Sequence, residues 1–179
     1  MVPRGINWYT HRYRSPAGDL FLAVDRQGVV HRASYRDFRE LLPQGSWEDN
    51  KYACGEVEYQ LEQYFSGKRD QFSLALHMEG TEFQHAVWQA MQKLSYGSTI
   101  TYGELARKIG RRDAARAVGN AVGRNPIAVI VPCHRVVPAA GGTGNYATRT
   151  IPAQQGRRAK QHLIALEQKQ ARSGKIPPP

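Results

Sequence analysis

The stretch TYGELARKIGRRDAARAVGNAVG, residues 101–123, decides the fold of the second half of the chain. Thr101 is followed three residues later by Glu104, a capping-box pattern that predicts the start of a helix. Asp113 is placed to cap a second helix, and Gly123 is placed to end it. Two short helices joined by a tight turn are typical of a helix-turn-helix.

The second of these helices has two faces of different composition. One face is small and apolar and consists of Ala114, Ala117, Val118, Ala121 and Val122. The other consists of Arg116, Gly119, Asn120 and Gly123, which leaves one cation on an almost flat surface. A flat helix of this kind can approach a DNA backbone closely, but Ala/Gly-rich helices also pack tightly against other helices. The helix alone leaves both interpretations open.

The distribution of charge favours the first interpretation. The net charge is +10, with ten Lys or Arg and eleven Asp or Glu in residues 1–80, against fifteen and four in residues 81–179. The whole basic excess therefore lies in the half that contains the helix pair. An anionic partner such as nucleic acid explains this asymmetry better than a merely basic surface does.

The first half is predicted to be a small α/β unit. Residues 7–35 have the pattern of strands, with a hairpin at Asp25–Gly28. The segment EVEYQLEQYF predicts a helix whose apolar face holds Val57, Leu61, Tyr64 and Phe65. Residues 36–53 are expected to form a loop, and QFSLALHM, residues 71–78, another strand.

The second half is predicted to be mainly helical. A helix with a capping box at Thr81 and Gln84 precedes the helix pair, and a last helix, RRAKQHLIALEQKQ, follows a glycine-rich loop at 139–144. The predicted fold class is thus an α/β N-terminal domain, a small sheet with a helix, before a mainly α C-terminal domain containing the helix-turn-helix. We place the domains at 1–79 and 80–172 and expect residues 173–179 to be a flexible tail.

Cys133 is the residue most suggestive of chemistry. It ends the apolar run IAVIVP and is followed by His134 and Arg135, whose positive charge would favour the thiolate that a nucleophilic cysteine needs. A lone cysteine is more often inert and buried. Neighbours in an extended segment also point to opposite sides, so His134 need not touch the sulfur. Cys54, at the start of a predicted helix, is interpreted as structural.

Composition limits the remaining possibilities. Two cysteines and six scattered histidines give no paired ligand spacing, so no metal and no cofactor is predicted. The small number of cysteines fits a reducing compartment, and the N-terminal residues have no apolar signal core, which together predict a cytoplasmic protein. No apolar run has the length of a membrane span, so no membrane partner is expected.

The segment Pro132-Cys133-His134-Arg135-Val136 resembles the active-site signature of the O6-alkylguanine-DNA alkyltransferases, also called methylated-DNA–protein-cysteine methyltransferases. The blocks GTEFQHAVWQAM, YGSTITYGELA, AARAVGNAVGRNPIAVIVPCHRVV and GNY resemble family blocks in the same order, and the similarity spans about residues 55–170. The resemblance implies a single-turnover repair protein. It would flip O6-alkylguanine, with O4-alkylthymine as a second candidate substrate, out of duplex DNA and transfer the alkyl group irreversibly to its own cysteine.

The resemblance also implies roles for individual residues. Cys133 would accept the alkyl group, with His134 as a base acting through water, Glu167 orienting His134, Asn125 bracing the turn and Tyr102 contacting the flipped base. Arg116 would fill the vacated place in the base stack, as the helix-turn-helix enters the minor groove of double-stranded DNA. The helix surface implied to contact DNA comprises Tyr102, Ala115, Arg116, Gly119, Asn120 and Arg124. The implied pocket residues are Val136, Tyr146, Ala147 and Lys160. Protein–protein contacts along the DNA are left open.

One segment departs from the family pattern. Residues 147–156 lack the usual Gly-Gly pair and are longer than expected, which leaves the size of the accepted alkyl group open. Arg149 in this loop is either a DNA contact or a solvated charge.

A damage-recognition module that binds alkylated DNA without transfer is the first alternative function, although such proteins lack the cysteine. A Cys–His hydrolase is the second, but it would leave the basic half unexplained.

Overall fold

A computed structural model describes residues 8–147 and 151–174 of the chain. The strands are β1 (Trp8–Ser15), β2 (Gly18–Val24), β3 (Val30–Ser34), β4 (Trp47–Asp49), β5 (Ile100–Thr101) and β6 (Val136–Val137). The α-helices are α1 (Gly55–Phe65), α2 (Glu82–Gln92), α3 (Tyr102–Lys108), α4 (Ala115–Val122) and α5 (Ala153–Arg172). Single 3₁₀ turns are formed by Arg39–Leu41 and Cys133–Arg135. A small sheet with a helix followed by a helical half confirms the predicted fold class.

The N-terminal half is a four-stranded sheet in the order β3-β2-β1-β4. The predicted hairpin at Asp25–Gly28 is confirmed, because β2 and β3 pair antiparallel on either side of it. The Asp25 carboxylate accepts hydrogen bonds from the amides of Gln27 and Val29, which fixes the turn. Helix α1 then packs its predicted apolar face onto the sheet, with Val57, Leu61 and Tyr64 buried and Phe65 partly buried.

Two segments of this half differ from the sequence prediction. The expected loop at 36–53 contains a 3₁₀ turn and β4, which pairs in parallel with β1 and is only three residues long. Such a short strand has no room for an alternating pattern, so only its distant partner defines it. The expected strand at 71–78 is wrong: this segment makes one isolated bridge, in which the amide of Val30 donates to the carbonyl of Ala75 and the amide of His77 donates to Val30.

Both predicted capping boxes are present and set the starts of α2 and α3. The amide of Gln84 donates to the Thr81 hydroxyl oxygen, and the amide of Glu104 donates to that of Thr101. The side chain of each N3 residue accepts the amide of its cap in return. Helix α4 ends at Gly123, as predicted. The helix-turn-helix is therefore confirmed as a pair of short helices.

Two details of the prediction for α4 were wrong. Asp113 does not cap the helix, because the chain makes a further turn in which the amide of Ala114 donates to Arg111, and Ala114 becomes the N-cap residue without a side-chain bond. Ala117 is exposed and does not belong to the core face. It lies about 100° around the helix from Val118, at the edge of the buried stripe.

One hydrophobic core connects the two halves of the chain. It includes Leu22 and Leu61 from the first half and Trp88, Val118 and Leu163 from the second. The Trp88 indole N–H also donates to the carbonyl of Ala121 at 2.9 Å, which ties α2 to α4. Among the described residues, none of the helices combines the length and apolar character that crossing a membrane requires.

Candidate active site

Cys133 lies on a tightly turned segment between the core and a cavity. The segment from Ile127 folds back on itself, with the amide of Val131 donating to Ile127 at 3.0 Å and the amide of Cys133 donating to Val131 at 2.8 Å. Val129 adopts a φ of 71°, which is rare and costly for a β-branched residue. The surrounding bonds therefore hold the turn in a strained shape that delivers Cys133 to the cavity wall.

Asn125 braces this turn from the end of the helix pair. Its side-chain amide donates to the carbonyl of Val131 at 2.8 Å and to the Cys133 sulfur at 3.1 Å. Its side-chain oxygen accepts the amide of Ile127 at 3.0 Å. One side chain thus connects both ends of the turn and the sulfur.

His134 and Glu167 form a buried pair behind the cysteine. The Nε2 atom of His134 lies 2.6 Å from Oε1 of Glu167, and both side chains are almost fully buried. Because an ionised carboxylate only accepts hydrogen bonds, we assign the imidazole proton to Nε2. Nδ1 is buried and has no hydrogen-bond partner in the described part of the chain, so its lone pair is available.

Burial keeps His134 neutral, while the same surroundings keep Glu167 charged. Burial lowers the pKa of His134 below its usual value, and the nearby cations of Arg135 and Lys160 lower it further, against the opposing effect of Glu167. Burial would raise the pKa of Glu167, but His134 and Arg135 hold it well below its ordinary range. The pair at rest is therefore a neutral imidazole beside a carboxylate.

Glu167 receives more donors than the sequence indicated. Arg135 makes two bonds to it, from Nε to Oε2 at 2.9 Å and from Nη2 to Oε1 at 3.0 Å. The amide of Gly97 donates to Oε2 at 3.1 Å, and the hydroxyl of Tyr64, from α1, donates to Oε1 at 2.7 Å. Sequence reasoning missed Tyr64 and Gly97, because neither carries a local pattern that points to Glu167.

The thiol of Cys133 is neutral at rest, contrary to the expectation that its neighbours favour the thiolate. Burial raises its pKa above the usual value, and this outweighs the Asn125 hydrogen bond, the positive charge of Lys160 and the Tyr146 hydroxyl, which all lower it. Arg135 was wrongly expected to act on the sulfur, since its guanidinium is occupied by Glu167 and by the carbonyl of Leu94.

Lys160 supplies a positive charge that acts on the Cys133 sulfur. Its ammonium group donates to the carbonyl of Val136 at 2.6 Å and, at 3.4 Å, to that of Asn145. Burial lowers its pKa to about 8, while the opposing charge of an ionised Cys133 raises it. The residue thus anchors the loop before Tyr146 and contributes to the field at Cys133.

A cavity of about 460 Å³ opens in front of the sulfur. Its walls include Cys133, Asn125, Tyr102, Tyr146, Ala147, Lys160, Gly119 and Arg124 from the predicted site, and Arg32, Ser34 and Tyr35 from the first half. Tyr35 and Tyr146 pack edge to face, 5.6 Å between ring centres, and neither buried hydroxyl has a regular hydrogen bond within the described residues. Tyr35 was missed from the sequence. Val136 was predicted to be a pocket residue, but in the described structure it is buried behind the wall.

The predicted DNA-contacting residues cluster around α4. Arg116, Asn120 and Arg124 are exposed, and Ala115 is partly exposed. A side chain at Gly119 would lie 3.7 Å from the Tyr102 ring, so this glycine connects the helix surface to the cavity. The flat, basic surface is therefore continuous with the opening that leads to Cys133.

The loop that departs from the expected pattern is only partly described. Ala147 has a φ of 52°, and the amide of Ile151 donates to its carbonyl at 2.9 Å. At the start of α5, a Cβ on Gly156 would stand 1.8 Å from the carbonyl oxygen of Tyr146, so only glycine allows this approach. Arg149, which is either a DNA contact or a solvated charge, lies outside the described residues, as does the part of the predicted flexible tail from residue 175 onward.

Cys54, the other cysteine, lies away from the cavity in the described structure. Cys54 is buried, its sulfur donates to the carbonyl of Tyr9 at 3.6 Å, and burial raises its pKa to about 12. It therefore has the inert environment expected of a structural cysteine. Within residues 8–147 and 151–174, no group of three or more His, Cys, Asp or Glu side chains is placed to hold a metal ion.

Comparison with known proteins gives consistent matches over most of the chain. The family model "6-O-methylguanine DNA methyltransferase, DNA binding domain" matches residues 82–169. A methylated-DNA–protein-cysteine methyltransferase of Methanosarcina acetivorans is 42% identical over 155 residues, which cover 87% of this chain and 95% of the relative. One of Mycolicibacterium paratuberculosis is 41% identical over 155 residues, covering 87% and 89%.

Solved structures share the fold as well as the sequence. The crystal structure of the Mycobacterium tuberculosis O6-methylguanine methyltransferase matches with a TM-score of 0.77 and 36% identity, covering 91% of this chain and 94% of that one. A crystal structure of the M. tuberculosis protein in complex with DNA matches with the same TM-score and identity, covering 90% and 94%.

Proposed function

Since this chain belongs to the family of methylated-DNA–protein-cysteine methyltransferases, we propose that it repairs O6-alkylguanine in duplex DNA by moving the alkyl group to Cys133. The observation that carries the proposal is the position of Cys133, at the wall of a cavity with the His134–Glu167 pair directly behind it. The partner is double-stranded DNA, and the protein acts as a single-turnover transferase.

The first chemical step is the ionisation of the thiol. Because burial keeps the Cys133 proton in place at rest, the reaction needs a base close by. Neutral His134 supplies one through Nδ1, and we propose that a water molecule carries the proton from sulfur to this atom. Glu167 then stabilises the imidazolium that forms, while Asn125 and Lys160 stabilise the thiolate.

The second step is an in-line displacement at the alkyl carbon. The thiolate forms a C–S bond as the bond between the carbon and guanine O6 breaks, and the electron pair of the broken bond passes into the guanine. Tyr102 lines the cavity, and burial raises the pKa of its hydroxyl, so it retains a proton that it can donate to the leaving base. The thioether has no easy hydrolysis route, which limits each molecule to one reaction.

Recognition of DNA rests on the helix pair. Flipping a base costs a few kcal/mol of stacking and pairing, least for a damaged base. We propose that α4 enters the minor groove with its flat face of Ala115, Gly119 and Asn120, that Arg124 contacts the DNA at the cavity rim, and that Arg116 occupies the place of the flipped base. Arg116 is exposed on this face, as such a role requires.

We also propose the domain roles, the compartment and the determinants of alkyl-group size. Residues 80–172 form the DNA-binding and catalytic domain, and residues 1–79 support it. The protein works in the cytoplasm, in keeping with its free, buried cysteines. The size of alkyl group that it accepts depends on the wall formed by Tyr146 and Ala147 and on the longer loop that follows them.

The test is an incubation with an oligonucleotide that carries one O6-methylguanine, followed by intact mass measurement and peptide mapping. We expect one methyl group on Cys133 and never more than one per molecule. Cys54→Ser, which alters the other buried cysteine, should transfer normally, whereas Cys133→Ala should bind DNA without transfer. Tight binding of the unaltered protein with no gain in mass would instead support damage recognition without transfer.

A further inference from the structure

The side chain of Tyr64 connects the N-terminal half to the catalytic pair. Its ring is fully buried on α1, and its hydroxyl donates to Oε1 of Glu167 at 2.7 Å, across 103 positions of sequence. Aromatic contacts with Phe65, Phe72 and Tyr96 surround the ring, with centres 5.1 to 6.0 Å away. The hydroxyl therefore has a fixed direction.

The oxygen that Tyr64 contacts is the one that holds His134. Oε1 accepts from Nε2 of His134 at 2.6 Å, from Tyr64 at 2.7 Å and from Nη2 of Arg135 at 3.0 Å. Each donor stabilises the negative charge of the carboxylate, so each weakens its attraction for the protons of the other two. The hydroxyl of Tyr64 is thus in direct competition with the imidazole.

Domain packing alone does not require this bond. A phenylalanine ring would fill the same space and would have no hydroxyl directed at the carboxylate that contacts the proposed base. We infer that Tyr64 is a positioning residue for alkyl transfer: its hydrogen bond to Glu167 fixes the carboxylate and limits how strongly it draws a proton onto His134. The inference rests on the proposed function and assigns the N-terminal half a part in it.

Other charged and titratable groups also act on His134 and Glu167. His134 interacts with Glu167, Arg135 and Lys160, and burial together with the two cations lowers its pKa. Glu167 additionally faces Tyr96, whose pKa burial raises to about 12. Burial beside Glu167 raises the pKa of Tyr64 well above its usual value, so Tyr64 stays a neutral donor.

Loss of the Tyr64 hydroxyl should shift the pH dependence of the transfer rate in a definite direction. In Tyr64→Phe the ring remains, one donor to Oε1 is lost, and more of the carboxylate charge acts on His134, so the imidazole gains proton affinity. The rate rises with pH as His134 loses its proton. We therefore expect the acid limb of the rate profile to move to higher pH, by on the order of half a unit.

The measurement is the single-turnover rate of methyl transfer from an O6-methylguanine oligonucleotide between pH 5 and 9, in the full chain. Tyr59→Phe is the matched control, because Tyr59 lies on the same helix, is exposed and bonds only to Gln63 in the described structure. Its profile should match that of the unaltered protein. A Tyr64→Phe profile that changes in height but not in pH position would overturn the inference and leave Tyr64 a packing residue.

Fluorotyrosine at position 64 gives a second test that does not remove the donor. Its more acidic phenol donates more strongly, so the acid limb should move to lower pH, the opposite direction to Tyr64→Phe. An unmoved limb contradicts the inference even if Tyr64→Phe fails to fold. Absence of methyl transfer by the unaltered protein would count against the proposed function itself, so the two failures are distinguishable.

Discussion

Asn125→Ala removes the brace of the reactive turn and should affect stability and chemistry together. The substitution takes away the bond to the carbonyl of Val131, the bond from the amide of Ile127 and the contact with the Cys133 sulfur. The two backbone groups belong to a segment that is almost fully buried, so water has limited access to replace the lost partner.

The expected loss follows from these contacts. Two backbone hydrogen bonds at about 1 kcal/mol each give roughly 2 kcal/mol of lost stability. Relaxation of the strained Val129 would return part of this, because a residue held at positive φ costs on the order of 1–3 kcal/mol. The thiol also loses a donor that lowers its pKa, and each unit by which the pKa rises reduces the thiolate about tenfold. We therefore expect a net loss of about 1–2 kcal/mol and a transfer rate about tenfold lower.

Guanidinium unfolding and single-turnover transfer measure the two effects on the same preparation. Asn50→Ala serves as the control, since the Asn50 side chain also accepts a backbone amide, that of Ala53 at 3.1 Å, and is not part of the described lining of the cavity at Cys133. The control should lose some stability but transfer normally. If Asn125→Ala reacted within twofold of the unaltered protein, the bracing role would be refuted.

Three other substitutions test different parts of the molecule. Glu167→Gln leaves its buried arginine partner without a counter-charge and should cost about 3–5 kcal/mol at pH 7. Folding lowers the pKa of the Glu167 carboxyl well below 4.5. The stability that this carboxylate contributes is therefore fully present above pH 4.5 and is lost as the pH falls towards the folded pKa. The unfolding curves of variant and parent should converge on acidification. Arg116→Ala should slow repair of duplex DNA but spare reaction with the free alkylated base; equal losses in the two rate assays would indicate a folding role. Gly156→Ala should lower the melting temperature, since its Cβ would meet the Tyr146 carbonyl at 1.8 Å, whereas Gly103→Ala on α3, 4.0 Å from its nearest neighbour, should not.

Local signals in the sequence predicted the parts of the fold that local physics decides. The capping boxes at Thr81 and Thr101 need only neighbouring residues, and both helices begin where these patterns indicated. Strand β4 and the segment 71–78 were assigned wrongly because pairing with a distant strand, not local preference, determines whether a short segment becomes a strand. Asp113 failed as a cap because one extra turn moved the helix start out of its reach.

The residues of the site also divide into those that the sequence indicated and those that it did not. The resemblance indicated Cys133, His134, Asn125 and Glu167, and the structure brings these four together within hydrogen-bonding networks. Its contributions from the first half, Tyr35 and Tyr64, could not be predicted, because no spacing relates them to residues a hundred positions away. Their burial with polar atoms directed at the site becomes visible only after folding.

The difference between neighbours in sequence and contacts in the folded chain also explains why the Cys133 thiol is protonated. Sequence adjacency suggested that positive charge on His134 and Arg135 would favour the thiolate, but folding directs Arg135 to Glu167 and leaves His134 neutral. A thiol that is protonated at rest reacts slowly with stray electrophiles and oxidants, since only the thiolate is a strong nucleophile. A protein that can react only once gains from this, because any side reaction at Cys133 consumes the molecule. The buried ion pair of Arg135 and Glu167, costly in desolvation, holds Glu167 beside His134, so that under the proposed mechanism a base stands ready behind a protonated thiol.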